Sequence, residues 1–218
     1  KKYKKYTEFK LIMPKDEFVL LTGSASKLGK HIAELLAEKK YNILLHYFKS
    51  KKETDLLSKK LNNKFKNQKF FPVYIDLSKV NSKNKFKNLI PKKTNLIGVI
   101  NNASLYFEDT IENFKFEDYQ KNMNIHYRNP LTLTSIIFEN YKNTKLNYFV
   151  INVTDNDLDN EDYYSYSKTK SMLSEHCSEV SEIDIDRIKI LEFKPKKILP
   201  SKDSSKNIAL FKQEFVKL

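Results

Sequence analysis

Short apolar runs alternate along this chain with stretches whose apolar residues recur three and four positions apart, and this alternation limits the fold more than any other feature. Phe18, Val19, Leu20 and Leu21 form a run that ends in Thr22 and Gly23 and predict a buried strand. Leu28, Ile32, Leu35 and Leu36 then fall on one helical face. Residues 43–47 predict a second strand, and Leu56, Leu57, Leu61 and Phe65 a second helical face. Residues 70–75 and 96–100 predict strands three and four, closed by Asp76 and by Asn101 and Asn102. A long helical stretch over 116–141, a fifth strand over 148–153, a helix over 163–180 and a sixth strand over 188–193 complete the pattern. Such alternation implies βαβ units, hence an α/β fold with a doubly wound parallel sheet. Ligands of such sheets sit beyond the C-terminal ends of the strands.

With 218 residues the chain suits a single domain over 1–218, with an N-terminal extension over 1–16. Residues 194–206 are rich in Pro, Lys and Ser and predict a loop, followed by a helix over 205–217. No seventh strand is evident in the C-terminal part, 194–218. Lys plus Arg is 40 against 27 for Asp plus Glu, a formal net charge of +13. The lysines are spread rather than clustered, which favours a solvated surface over a nucleic-acid face. Part of that charge suits an anionic cofactor. The single cysteine, Cys177, excludes an internal disulfide and a Cys-based zinc site, and no metal is expected. It fits a reducing, cytoplasmic setting. No apolar run is long enough to span a bilayer.

Each strand end carries a motif. Thr22-Gly23-Ser24-Ala25-Ser26-Lys27-Leu28-Gly29 joins the first strand to the first helix. Gly23 permits a tight turn, Gly29 a close approach, and the free N–H groups of a helix start suit a pyrophosphate. The end of the second strand, His46-Tyr47-Phe48-Lys49-Ser50, has no carboxylate to hold a ribose 2′-hydroxyl. Lys49 and Ser50, with Lys27, offer charge and donors for a 2′-phosphate instead. Tyr164 and Lys168 stand four apart on a predicted helix, so they share a face, and an ammonium beside a phenol lowers its pKa towards the range of a usable acid. Tyr166 and Lys170 repeat the spacing. Asp155 follows the fifth strand, either as a reacting group or as a turn residue.

These motifs resemble the short-chain dehydrogenase/reductase family, with its Rossmann-like fold, and within it the pteridine reductases. TGSASKLG is similar to the TGxxxxxG fingerprint, with Lys27 in place of the middle glycine. HYFKS resembles the pteridine reductases' second-strand end. The resemblance implies NADPH as cofactor, held by Gly23, Ser26, Lys27, Leu28, Gly29, His46, Tyr47, Lys49, Ser50, Asp76, Leu77, Asn102, Ala103, Ser104, Tyr164, Lys168 and Pro195. It implies catalysis by Asp155, Tyr164 and Lys168, since YSYSKTKSML looks like the family helix with Ser167 before the active lysine, and it alone sets Tyr166 and Lys170 aside as structural residues. It implies a pteridine-like small-molecule substrate bound by Ser104, Tyr106, Asp155 and Tyr164, and a homo-oligomer, dimer or tetramer, packed through the long helices. It also implies that 194–218 is a shortened substrate loop and helix. Three positions depart from the pattern. Asp155 lies only nine residues before Tyr164, which leaves Asp157 as an alternative. His126 stands where the family has an Asn in a proton relay, and serves either as a relay or as a core residue. Lys196 replaces a Gly after Pro195. The expected activity is hydride transfer to a dihydropterin or dihydrofolate. Reduction of another small carbonyl compound, a non-catalytic dinucleotide-binding scaffold, and nucleic-acid binding stay open as alternatives.

Overall fold

The computed structural model describes residues 17–142, 144–155, 158–181 and 186–195, together with 209, 212 and 213. Six strands pair in parallel in the order β3-β2-β1-β4-β5-β6. They are β1 (Glu17–Leu21), β2 (Asn42–Tyr47), β3 (Phe70–Tyr74), β4 (Asn95–Asn101), β5 (Tyr148–Val153) and β6 (Ile188–Phe193). β1 and β5 are buried at every position because helices cover both faces of the sheet, which is why their sequences read as continuous apolar runs rather than alternating ones. The edge strand β3 carries Pro72, a residue whose missing N–H an edge tolerates. The order reverses between β1 and β4, and the cleft at their C-terminal ends is the ligand position of such sheets.

The helices are α1 (Lys27–Glu38), α2 (Lys51–Lys64), α3 (Lys83–Lys87), α4 (Phe116–Met123), α5 (Asn129–Tyr141) and α6 (Tyr164–Ser181). α1 buries Leu28, Ile32, Leu35 and Leu36, the expected face. α2 is rotated from expectation: it buries Thr54, Leu57, Ser58 and Leu61, while Leu56 is 61 % exposed. Polar Thr54 and Ser58 are buried because their hydroxyls donate to Ser50 O and Phe70 O. The stretch expected as one helix over 116–141 is interrupted by a π-turn, Asn124–Arg128, between α4 and α5. The loop and helix expected over 194–217 lie outside the described residues apart from 194, 195, 209, 212 and 213. No described helix is long and apolar enough to cross a membrane.

Two clamps hold the turn between β1 and α1. Asn102 and Ala103, after β4, donate their backbone N–H groups to Thr22 Oγ1 at 2.8 and 2.9 Å. Asn102 Nδ2 donates to Thr22 O and Gly23 O, both at 3.0 Å. From the other side His46 Nδ1 accepts the Gly23 N–H at 3.0 Å, and Nε2 lies 2.9 Å from Ile75 O. A peptide N–H only donates and a carbonyl only accepts, so His46 is the neutral Nε2–H tautomer. Burial pushes its pKa down to about 4, against the smaller opposing effect of the Ile75 carbonyl.

Gly98, in the middle of β4, has no room for a side chain: a Cβ there would lie 2.3 Å from the Phe149 ring on β5. Gly98→Ala should destabilise the protein by about 1–3 kcal/mol in urea denaturation, the usual range for overpacking a core; an unchanged midpoint would contradict this packing. The His46 clamp gives a pH dependence. Its folded pKa lies below the unfolded value, so between about 6.5 and 4 the unfolded chain binds protons that the folded ring refuses. The stability contributed by the neutral ring is present at pH 7 and lost as pH falls, about 2 kcal/mol of it between pH 7 and 5. Urea denaturation at the two pH values should show the fall, and His46→Gln should reduce the slope.

Candidate active site

A cavity of about 840 Å³ opens at the C-terminal ends of β1, β2 and β4, within the size range of cofactor sites. Twelve of the residues expected to hold the cofactor line it: Gly23, Ser26, Lys27, Leu28, His46, Tyr47, Lys49, Ser50, Leu77, Asn102, Ala103 and Ser104. Gly23 sits at φ +62°, where a Cβ would come within 2.9 Å of Ala103 Cα, and a Cβ at Gly29 would meet Gly23 O at 2.2 Å. Both glycines are therefore required by the close approach of the turn, β4 and α1. Ser26 caps α1 by accepting the Gly29 N–H at 3.0 Å. Lys49 and Ser50 follow β2 on the exposed rim, with the Lys49 ammonium 5.6 Å from the centre of the Phe48 ring.

Some expected contacts take a different form. His46 lines the cavity, but both ring nitrogens are committed to backbone groups, so it braces the turn. Asp76 turns its Oδ1 back onto Ser78, accepting from Ser78 N at 2.9 Å and Ser78 Oγ at 2.6 Å, and it is Leu77 and Ser78 that face the cavity. Pro195 ends a described stretch and does not line the cavity; Asp157 and Lys196 lie outside the described residues. Phe48, from the motif at the end of β2, lines the wall too, and Phe107, Ile125 and the Asp118–Lys121 ion pair, 2.7 Å, are further wall residues that no sequence motif marked.

The acid–base pair needs correction. Tyr164 and Lys168 do share a face of α6, with Lys168 Nζ 6.0 Å over the Tyr164 ring, but that face points away from Asp155. Tyr164 packs against Phe114 and Tyr119, at 5.4 and 6.4 Å between ring centres, and Tyr164 and Lys168 border a separate cavity of about 550 Å³ lined also by Glu112, Asp159, Glu161 and Asp162. Tyr166 and Lys170 occupy the inward face. Tyr166 Oη donates to Asp155 Oδ2 at 2.7 Å, and Lys170 Nζ donates to Val153 O at 2.5 Å. Counted to Tyr166 the distance from Asp155 becomes eleven residues in place of nine. A helix advances about 100° per residue, so moving from 164 to 166 turns the side chain through about 200°. The signal was present in the sequence: Tyr166, Lys170, Leu173 and Cys177 form a stripe at four-, three- and four-residue spacing, and all four are buried.

The register of α6 is fixed from outside by Asp109, which no motif suggested. Its carboxylate accepts the Ser165 N–H at 2.9 Å and the Ser165 hydroxyl, and its carbonyl accepts the Tyr164 N–H at 2.9 Å. The Asp109 N–H in turn donates to Asp162 O. This buried cap ties the loop after β4 to the first turn of α6.

Burial, then the Asp155 carboxylate, push the Tyr166 phenol well above its usual pKa, while contact with Ser104 acts the other way. Burial pushes Lys170 down to about 8. Tyr106 stands edge-on to Tyr166, at 4.9 Å and 83°, and is stacked on Tyr163 at 4.1 Å and 18°. His126, on the π-turn, meets Tyr166 edge-on at 5.3 Å and contacts Ser104. Asp155, Tyr166, Lys170, Ser104 and Tyr106 therefore converge, while Tyr164 and Lys168 do not join them.

Residues 17–185 match the profile of the short chain dehydrogenase family. No curated protein matches the sequence. Among solved structures the chain is similar to FolM alternative dihydrofolate reductase 1 from Brucella suis in complex with NADP, with a TM-score of 0.78 and 21 % identity over 90 % of this chain and 88 % of that one. The corresponding protein from Brucella canis, complexed with NADP, gives 0.76 and 22 % over 87 % and 77 %. The bulky-bulky ketone specific alcohol dehydrogenase from Comamonas testosteroni gives 0.80 and 15 % over 92 % and 82 %. At these identities the structures establish a shared fold; the profile, which spans well over half of the sequence, establishes that this chain belongs to the short-chain dehydrogenase family of oxidoreductases.

Proposed function

We propose that the protein is an NADPH-dependent reductase of a flat, pteridine-like substrate, with Tyr166 as proton donor, Lys170 and Asp155 beside it, and Ser104 and Tyr106 as substrate wall. The observation that carries this reading is the meeting of Ser104, Tyr106 and Asp155 around one phenol. A pterin presents a flat ring that gains from stacking on Tyr106 and a ring nitrogen that takes a proton. Two of the similar structures are named as alternative dihydrofolate reductases in complex with NADP. Reduction of a small ketone is the second reading, favoured by the likeness to the ketone-specific enzyme.

The residues present fit a phosphorylated dinucleotide. Gly23, Ala25, Ser26 and Lys27 line the cavity at the start of α1, where a pyrophosphate would meet the helix N-terminus, and Lys27, Lys49 and Ser50 bring charge and donors to the rim where a 2′-phosphate would lie. When bound, the nicotinamide supplies the hydride. Tyr166 holds its proton firmly, because burial and Asp155 both disfavour the phenolate, and so remains a donor through the physiological range. Lys170, charged below about pH 8, favours the phenolate as the proton leaves.

With purified protein and dihydrobiopterin, Tyr166→Phe should lower kcat by at least about 100-fold with NADPH binding retained, while Tyr164→Phe and Lys168→Ala change it by no more than about threefold. Oxidation of NADPH, followed at equal NADPH and NADH concentrations, checks this; loss of activity in Tyr164→Phe alone would overturn the assignment. Wild-type turnover of small ketones but not of pterins would favour the second reading. The pH profile of kcat/KM should fall on its alkaline side near pH 8, as Lys170 loses its charge. A profile flat to pH 10 would exclude a role for that ammonium.

A further inference from the structure

The π-turn Asn124–Arg128 carries a histidine whose surroundings allow one tautomer. His126 Nε2 lies 3.2 Å from the Leu105 N–H, which only donates, so Nε2 accepts and bears no proton. Nδ1 is then the protonated nitrogen, and it donates to Thr169 Oγ1 at 2.9 Å. Thr169 has lone pairs free for this, because its own hydroxyl proton goes to Ser165 O at 2.8 Å. Ser104 Oγ, 3.0 Å from the same Nε2, donates to it as well. The ring is 1 % exposed, and the Lys170 ammonium acts on it from α6. A second ring proton would face the Leu105 N–H at hydrogen-bond distance and add a charge in a site that disfavours one. π-turns are rare and concentrate at functional sites; here one carries Ile125 in the cavity wall and His126 against Tyr166.

We propose that His126 is a positioning residue of the reduction: an uncharged acceptor that anchors Ser104 and Leu105 and holds the Ser104 hydroxyl ready to turn to Tyr166 once that phenol has given up its proton. It moves no proton itself. Ser104 has one hydroxyl proton and two neighbours that take it, His126 Nε2 and Tyr166 Oη. While Tyr166 keeps its proton, directed to Asp155, the Ser104 proton rests on His126. When Tyr166 gives its proton to substrate, its oxygen becomes the stronger acceptor and the Ser104 O–H turns to it. The proton stays bonded to Ser104, and the Leu105 N–H keeps Nε2 occupied throughout. The inference rests on Tyr166 being the proton donor.

Two amide substitutions separate the two edges of the ring. Gln reaches as far as Nε2, so its Oε1 takes the place of that acceptor for Leu105 and Ser104. Asn reaches only as far as Nδ1, so it keeps the donation to Thr169 and leaves Leu105 and Ser104 without an acceptor. His126→Gln should hold kcat within about threefold of wild type, and His126→Asn should lower it about 30-fold, with the Kd for NADPH and the Tm alike in both variants. Equal losses in the two variants, or a loss matched by weaker NADPH binding, would overturn the proposal. The tautomer is read without turnover, by 15N NMR of ring-labelled wild type, with the His126 signals assigned by their absence in His126→Gln. A protonated Nδ1 and bare Nε2 from pH 5.5 to 8.5 is expected; an Nε2–H ring or an imidazolium in that range would sink it. An inactive wild type would remove the reductase reading, and with it the role of His126, whatever the tautomer.

Discussion

The rotation of α6 depends on one buried carboxylate. Asp109 sits in the loop after β4, yet its oxygens and its carbonyl satisfy the first turn of α6, whose N–H groups would otherwise lack partners. That contact decides where α6 starts and how it is rotated. Everything inward of it follows: Tyr166 against Asp155, Lys170 against Val153 O, and Leu173 and Cys177 in the core. The same loop carries Ser104 and Tyr106, so the residues proposed as substrate wall and the face of α6 that carries Tyr166 and Lys170 are tied together through Asp109. A buried carboxylate is costly unless its lone pairs are used, and Asp109 uses them on α6.

The fold was legible because strands covered on both faces write themselves as apolar runs and helices covered on one face as spaced ones. The phosphate turn was legible for a related reason: glycines at 23 and 29 are demanded by backbone contacts that no other residue fits. The pair proposed as acid and base was not legible from spacing, because two Tyr-x-x-x-Lys sets overlap two residues apart and spacing alone gives them equal standing. Their difference lies in helix rotation, set by Asp109 from 56 residues away. The stripe through Leu173 and Cys177 held the answer, for anyone weighing the polar pair by its apolar neighbours. The π-turn was hidden too: its inserted residue leaves helical periodicity nearly intact over 116–141. The state of His126 depends on which atoms face each ring nitrogen, a matter of coordinates and not of residue type.

Buried polar groups run through the site in matched pairs. Asn101 donates to Asn152, and Asn152 to the Cys177 thiol, beneath the floor from which Lys170 rises. His46 and His126 are mirror cases: each is neutral, each accepts a peptide N–H, one through Nδ1 and the other through Nε2, and each fixes a loop at a strand end. Lysine-rich as the surface is, the interior of this site is organised by uncharged acceptors around a few charges.

The clamp between Thr22 and Asn102 joins residues eighty positions apart. A growing chain therefore holds its nucleotide-binding turn in an incomplete state until β4 has emerged and inserted beside β1. Closing so long a loop costs entropy before any contact repays it. During synthesis β1, α1 and β2 have one sheet edge bare for as long as it takes to make about the next quarter of the chain, and an apolar strand such as Phe18 to Leu21 is then open to pairing with another molecule. Assembly of this protein is thus governed by the late arrival of β4, and early exposure of β1 is the stage at which aggregation competes.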